Sequence, residues 1–363
     1  MSAAVARAAL VALLRALLAW APAAAAADER PQPIVDTHAH LEHLGGIAQF
    51  GAALDAALAE MDRLGVRASV LMPPPQAKDN RFFYDIEALK FAVERHPGRF
   101  LLVAGGGTLN PTILRTPPDA VDEPTRQRFR EQAERLLAQG AVGFGEITAH
   151  HLSLPAMGPM HGYSVVPADH PLLLLLADIA AERNVPIDLH FDAVPEPMPV
   201  PAPISQNPNN PRTLDANLAA FERLLAHNRN AKIVWAHAGS DPLRTRTPAL
   251  CRELLARHPN LAMSLRGGGR GTPHPSFALD EEGRLKPAWV KLIADFPDRF
   301  VLGSDRFHTA AAPRTPLLAQ TLPNLRRLVD QLPAAIARRV AIDNVERLYG
   351  LPPGWAASIA RTQ

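Results

Sequence analysis

Short apolar runs in this chain end, one after another, in residues able to hold a metal ion. They are His38 and His40 in IVDTHAH, Glu146 in AVGFGEI, His190 in VPIDLH, His237 in KIVWAH and Asp305 in RFVLGSD. Each run is rich in Val, Ile and Leu and lies between turn formers, the pattern of a strand buried on both faces of a parallel sheet. Ligand types at the C-terminal tips of successive strands meet at one point only if the strands close into a barrel. In a (β/α)₈ barrel that rim is where active sites are built. The pattern therefore constrains fold and chemistry together.

Eight strand-like runs can be marked, at residues 33–38, 68–73, 99–105, 141–147, 185–190, 232–237, 260–265 and 299–305. Amphipathic stretches lie between them, among them ALDAALAEMDRLG, YDIEALKFAVERHPG, TRQRFREQAERLLAQG and PALCRELLARHPN. Their apolar residues recur at three- and four-residue spacings, and Gly, Asn or His-Pro closes most of them. Strict alternation predicts parallel strands joined by crossover helices. At 363 residues the length permits one large barrel or two ordinary domains. Eight repeats of the unit favour a single α/β domain, a (β/α)₈ TIM barrel over residues 28–363, above an open doubly wound sheet. No Gly-x-Gly-x-x-Gly follows an early strand, which argues against dinucleotide binding.

Residues 1–27 are set apart. MSAAVAR is a short basic start, the next run is apolar, and its Ala-rich end offers several A-x-A cleavage choices. This reads as a secretory signal peptide removed near Ala26 or Ala27. Arg15 and Pro22 interrupt the run, against a transmembrane helix. The expected destination is the periplasm or the exterior, with no stable membrane association after cleavage. The chain carries 38 basic and 36 acidic residues, net +2. Arg7 and Arg15 leave with the signal, which removes the excess positive charge and with it any argument for nucleic acid. Cys251 is the only cysteine, so an intrachain disulfide and a cysteine zinc site are both excluded. Stability must then come from core and metal.

Three segments after strands exceed the usual few-residue link: 148–170, 191–212 and 266–287. All three fall on the expected catalytic rim. The Pro-rich composition of 191–212 predicts a stiff, extended arc lying over the site. Residues 333–351 read as a closing C-terminal helix.

His38 and His40 are two apart, so on a strand both side chains point to one face, as a pair of ligands for Zn²⁺ or a similar ion requires. Taken singly, His190 and His237 have a structural reading as hydrogen-bonded core histidines, and Asp305 as a helix cap. Taken together, the set points to a divalent metal. Asp305 can bind an ion through one oxygen while the other takes a proton from an activated water. Glu146 can bridge two ions, bind one, or pair with a basic residue. Arg266 and Arg306, near the ends of the last two strands, are candidates for seating an acidic or lactone substrate, with a salt bridge to Asp188 or Asp192 as the alternative for such an arginine.

The chain resembles the amidohydrolase superfamily, specifically its amidohydrolase-related branch. The resemblance lies in the DTHAHL opening, GVRASVLMP, GGGTLNP after the third strand and the closing IDNVERLYGL, and spans roughly residues 33–351. It implies a metal-dependent (β/α)₈ barrel with His38, His40, His190 and Asp305 as ligands, and His237 as ligand of a second metal or as catalytic acid/base. Glu146 stands where many two-metal members carry a carboxylated lysine, which leaves one or two ions per chain open. The expected activity is hydrolysis of a small-molecule ester, lactone or amide, with Asp305 and His237 as catalytic groups. The alternative is a metal-dependent decarboxylase of an aromatic or dienoic acid.

Overall fold

The computed structural model describes residues 32–42, 46–78, 84–154, 157, 161–202, 204–268, 274–313 and 315–359. The signal-peptide reading of residues 1–27 lies outside them. Eight parallel strands run in chain order around a ring: Ile34–Leu41 (β1), Val66–Leu71 (β2), Phe100–Leu102 with Ala104–Gly105 (β3), Phe144–His151 (β4), Pro186–Phe191 (β5), Lys232–Ala238 (β6), Leu261–Leu265 (β7), and Phe300–Leu302 with Arg306–His308 (β8). The third and eighth strands each change partner midway. Phe100–Leu102 pairs with β2 and Ala104–Gly105 with β4, while Phe300–Leu302 pairs with β7 and Arg306–His308 with β1. Those two exchanges close the barrel.

The expected apolar runs are these strands, and β1 and β7 are buried at every residue. Burial on both faces is what a ring of strands inside a ring of helices demands. The helices obey local chemistry. Asp122, Thr247 and Thr315 cap Glu123–Ala138, Pro248–Arg257 and Pro316–Asp330, each by accepting from a first-turn N–H, with Pro inside the first turn. Gly65 ends Phe50–Leu64 with φ 71°, the left-handed conformation that suits glycine.

Three expectations change in detail. The stretch 84–98 is helical only at Lys90–Arg95, after a 3₁₀ turn at Ile86–Ala88. The eighth strand breaks at 303–305, where a Cβ on Gly303 would lie 2.0 Å from Ser264 Oγ and 2.8 Å from His38 Cβ. No larger residue fits there, and the break turns Asp305 towards the rim. The closing helix runs as Ala334–Arg338 and Asn344–Leu348 with a π turn between them.

The long rim segments build a small assembly of their own. β4 overshoots the barrel to His151 and pairs antiparallel with Ser164–Val165. Met198–Pro199 and Thr213–Leu214 form a two-stranded ribbon. Leu152, Val194, Val200, Ile204, Leu214 and Leu243 make a second apolar cluster among these loops. The Pro-rich arc is stapled to the β4 extension: Asn210 Nδ2 donates to Ser153 O at 2.8 Å, and Asn207 Nδ2 to Ser153 Oγ at 2.7 Å. Among the described residues no helix is long and apolar enough to cross a membrane.

Candidate metal centre

The strand tips bring all six expected ligands together. His38 and His40 point to one side of β1, with their Nε2 atoms 3.1 Å apart. His38 Nδ1 donates to Asp188 Oδ2 at 3.2 Å, and His40 Nδ1 donates to Met72 O at 2.9 Å. Those bonds fix the tautomers, so both Nε2 atoms present lone pairs to each other. Two buried lone pairs at that distance repel unless a proton or a metal ion lies between them. Glu146 Oε2 is 3.4 Å from His38 Nε2 and 3.5 Å from His40 Nε2, and Asp305 Oδ1 is 3.4 Å from His40 Nε2. Donors about 2.0–2.2 Å from a tetrahedral ion stand roughly 3.3–3.6 Å apart. The spacing of His38, His40 and Glu146 therefore fits one small divalent ion, with Asp305 Oδ1 farther from His38 Nε2, at 3.9 Å.

Glu146 turns its other oxygen to a second group. Oε1 is 2.8 Å from His190 Nδ1 and 3.3 Å from His237 Nε2, and those two nitrogens are 3.1 Å apart. His190 Nε2 faces Asp192 Oδ2 at 3.5 Å, which leaves Nδ1 as the ligand atom. His237 has φ 67°, a left-handed conformation that costs a residue with a side chain about 1–3 kcal/mol. The resemblance implied that His190 shares one set with His38, His40 and Asp305. The geometry instead groups it with Glu146 and His237, because β5 and β6 are neighbours while β1 and β8 face them across the barrel.

Electrostatics agree with a cation site. Burial disfavours a charged His38, yet Asp188 and Glu146 lift its pKa well above the usual histidine value. Burial would raise Glu146, but the charge on His38 and hydrogen bonds from His190 and His237 hold it well below the carboxylate range. Burial also opposes ionisation of Asp305, and the Arg266 guanidinium beside it overcomes this and pushes the pKa down. Burial pushes His237 to about 3, which keeps that imidazole neutral, as a ligand must be. The arrangement favours positive charge where the six side chains converge.

Two arginines separate here. Arg266 Nη1 lies 3.1 Å from Asp305 Oδ2, so its partner is Asp305 rather than Asp188 or Asp192. Arg306 does not reach the site. Its Nε bonds Glu60 Oε2 at 2.9 Å and its Nη1 bonds Leu318 O at 2.6 Å. Asp305, with φ 53°, lies in the break just before Arg306–His308, and the turn of the chain there leaves Asp305 at the site and Arg306 against Glu60. The expectation of a substrate contact from Arg306 is corrected accordingly.

Sequence reasoning did not give Asp188 and Asp192 their roles beside the histidines. Both carried a legible signal, since they stand two before and two after His190, Asp188 on β5 and Asp192 just past its end. His151 and His161 also flank the second group: the His151 ring is 4.4 Å from His190 and 4.5 Å from His161. The side chains of His190, Asp305 and Arg266 keep 13–15 % exposure, whereas those of His38 and His40 have none. Access to the centre is therefore from the His190–Asp305–Arg266 side.

A closed parallel barrel with carboxylates and imidazoles converging at its C-terminal mouth defines a metal-dependent hydrolase-type enzyme. The family model for amidohydrolases matches residues 35–351, and the chain belongs to that family. Among solved structures it is similar to dihydroorotase from Saccharomyces cerevisiae in complex with 5-fluoroorotic acid, at 16 % identity and TM-score 0.52, covering 90 % of this chain and 86 % of that one. It is also similar to dihydroorotase from Campylobacter jejuni, at 16 % identity and TM-score 0.47, covering 88 % and 84 %. At such identity the likeness to the yeast enzyme speaks for the fold. A comparison with curated proteins gives no match.

Proposed function

We propose that the chain is an exported hydrolase of a small-molecule ester, lactone or amide, in which His38 and His40 would hold one zinc ion and His190 and His237 a second, with Glu146 serving both. The observation that carries this reading is the pair of imidazole clusters on either side of one carboxylate. Glu146 Oε2 faces His38 and His40, and Oε1 faces His190 and His237. Negative charge suits cations here: Glu146, Asp188 and Asp192 are buried, and Asp305, 15 % exposed, stands beside the Arg266 guanidinium. Imidazole and carboxylate donors at tetrahedral spacing favour zinc.

Bound divalent ions supply Lewis acidity, polarising a carbonyl and making water acidic enough to ionise near neutral pH. The chain's own residues do the rest. His38 and His40 are locked in tautomer and orientation by Asp188 and Met72 O. Asp305 directs Oδ1 to the first cluster and keeps Oδ2 on the accessible side, beside Arg266 and 4.0 Å from His237 Nδ1. That oxygen would take the proton of an attacking water and return it to the leaving group. Arg266 can turn further N–H donors towards a substrate carboxylate or carbonyl oxygen. The same arginine would seat an acid about to lose carbon dioxide, and the decarboxylase is the second reading.

Zinc-loaded protein should be screened over lactones, esters, amides and aromatic or dienoic acids, in ¹⁸O-labelled water. Label in the product supports hydrolysis, and carbon dioxide release without label moves the reading to the lyase. No turnover of any class would sink both. Export has its own test: the N-terminus of the exported protein should begin near Ala27 or Asp28. An intact Met1 in the cytoplasm would contradict it.

A further inference from the structure

We propose that Arg246 is the positioning residue of the His190–His237 half of the centre, an inference that rests on the two-ion reading. Arg246 lies in the segment after β6 and is 1 % exposed. The two terminal nitrogens of its guanidinium are spent on main-chain carbonyls. Nη2 donates to Phe191 O at 2.7 Å, and Nη1 donates to Ala236 O. Phe191 follows His190 and Ala236 precedes His237. One planar fork thus ties the backbone beside both histidines, across two adjacent strands.

The fork is itself held. Its carbon lies over the Trp235 indole at 4.3 Å from the ring centroid, and Trp235 Nε1 donates to the same Phe191 O at 2.8 Å. Asp241 accepts from Arg246 N at 2.7 Å and from Leu243 N at 3.0 Å, which pins the loop. Thr245 Oγ1 adds a bond to Ala193 O at 2.6 Å.

His237 needs such a brace. Its φ of 67° lies where side chains crowd the backbone, and such a conformation persists only when the surroundings over-determine it. That angle follows from the orientation of the Ala236–His237 peptide plane, and Ala236 O, the atom Arg246 holds, lies in that plane. From the other side, Ser240 N donates to His237 O at 3.0 Å. His38 and His40 are oriented by bonds from their Nδ1 atoms, but among the described residues His237 Nδ1 has no hydrogen-bond partner. The backbone must aim this ring. A guanidinium suits the task because it is planar, permanently charged and offers donors in a rigid fork. A lysine in its place offers a single ammonium that cannot reproduce that fork.

The test is stepwise titration of metal-free protein with Co²⁺ against a competing chelator, read by visible absorption and checked by elemental analysis. Arg246→Lys should keep the first step at wild-type affinity and weaken the second by about 10–100-fold, as loss of an outer partner of a metal ligand does. Trp235→Phe keeps the fork and removes one of two donors to Phe191 O, so the same step should weaken less. That second variant keeps the test open if Arg246→Lys does not fold. Unchanged steps in folded variants, or two steps weakened alike, would overturn the inference. A wild-type protein that takes only one Co²⁺ would overturn the two-ion reading and this inference with it. Two ions in wild type with unaltered variants would sink this inference alone.

Discussion

His38 and His40 share one strand, are fully buried, and each has its second nitrogen engaged by Asp188 or Met72 O. His190 and His237 come from two strands, stand nearer solvent, and include a left-handed backbone and an unengaged ring nitrogen. Both groups lean on Glu146, yet both rings of the first are held through their second nitrogens, whereas in the second Asp192 faces His190 and His237 is aimed by its backbone alone. A ligand whose second nitrogen is already bonded loses little freedom when an ion arrives, whereas a ring aimed only by its main chain must be ordered. The first half should therefore hold its ion more tightly, and the second should be the half that loses metal during purification or against a chelator.

The largest effect that could break this comparison is removal of a ligand from the preorganised half. His40→Ala should lower turnover by orders of magnitude and remove the tightly held ion, measured by activity and metal content together. Loss of only the loosely held ion would reverse the ranking. Next in size is Asp305→Asn, which keeps an oxygen near His40 but removes the proton acceptor. Turnover should fall by about 10²–10⁴ while metal content changes little. Smaller again is Asp188→Asn, which touches no ion directly. Chelator competition should show the first ion weakened by about 10–100-fold with the second nearly unchanged. Equal weakening of both would mean that the two halves do not differ as described.

Much of this centre was legible in the chain because period and position coincide. A strand buried on both faces has few places for His, Glu or Asp, so such residues at the tips of the marked runs stand out, and all six meet. Arg306 was misplaced because sequence spacing does not show where a strand breaks. Gly303 against Ser264 and His38 decides which of Asp305 and Arg306 turns inward. The division of ligands into two groups was out of reach for a related reason. It depends on which strand tips are neighbours across the barrel mouth, and on Glu146 presenting its two oxygens to opposite sides. Arg246 left almost no trace, since its partners are carbonyls, which every residue carries. The helix expected over 84–98 shortened because Asp85 turns inward, where its side chain accepts from Gly105 N at 2.9 Å and Thr108 Oγ1 at 2.7 Å. That contact lies about twenty residues away, beyond any local periodicity.

Glu146 as a bridge between two ions is the claim on which the rest depends, and metal content tests it most directly. Wild-type protein and Glu146→Gln should be saturated with zinc, freed of excess ion, and analysed for metal per chain alongside a fold check. The account predicts two ions per chain in wild type and about one in Glu146→Gln, with activity strongly depressed. One ion per chain in fully saturated wild type, unchanged by the substitution, would contradict it.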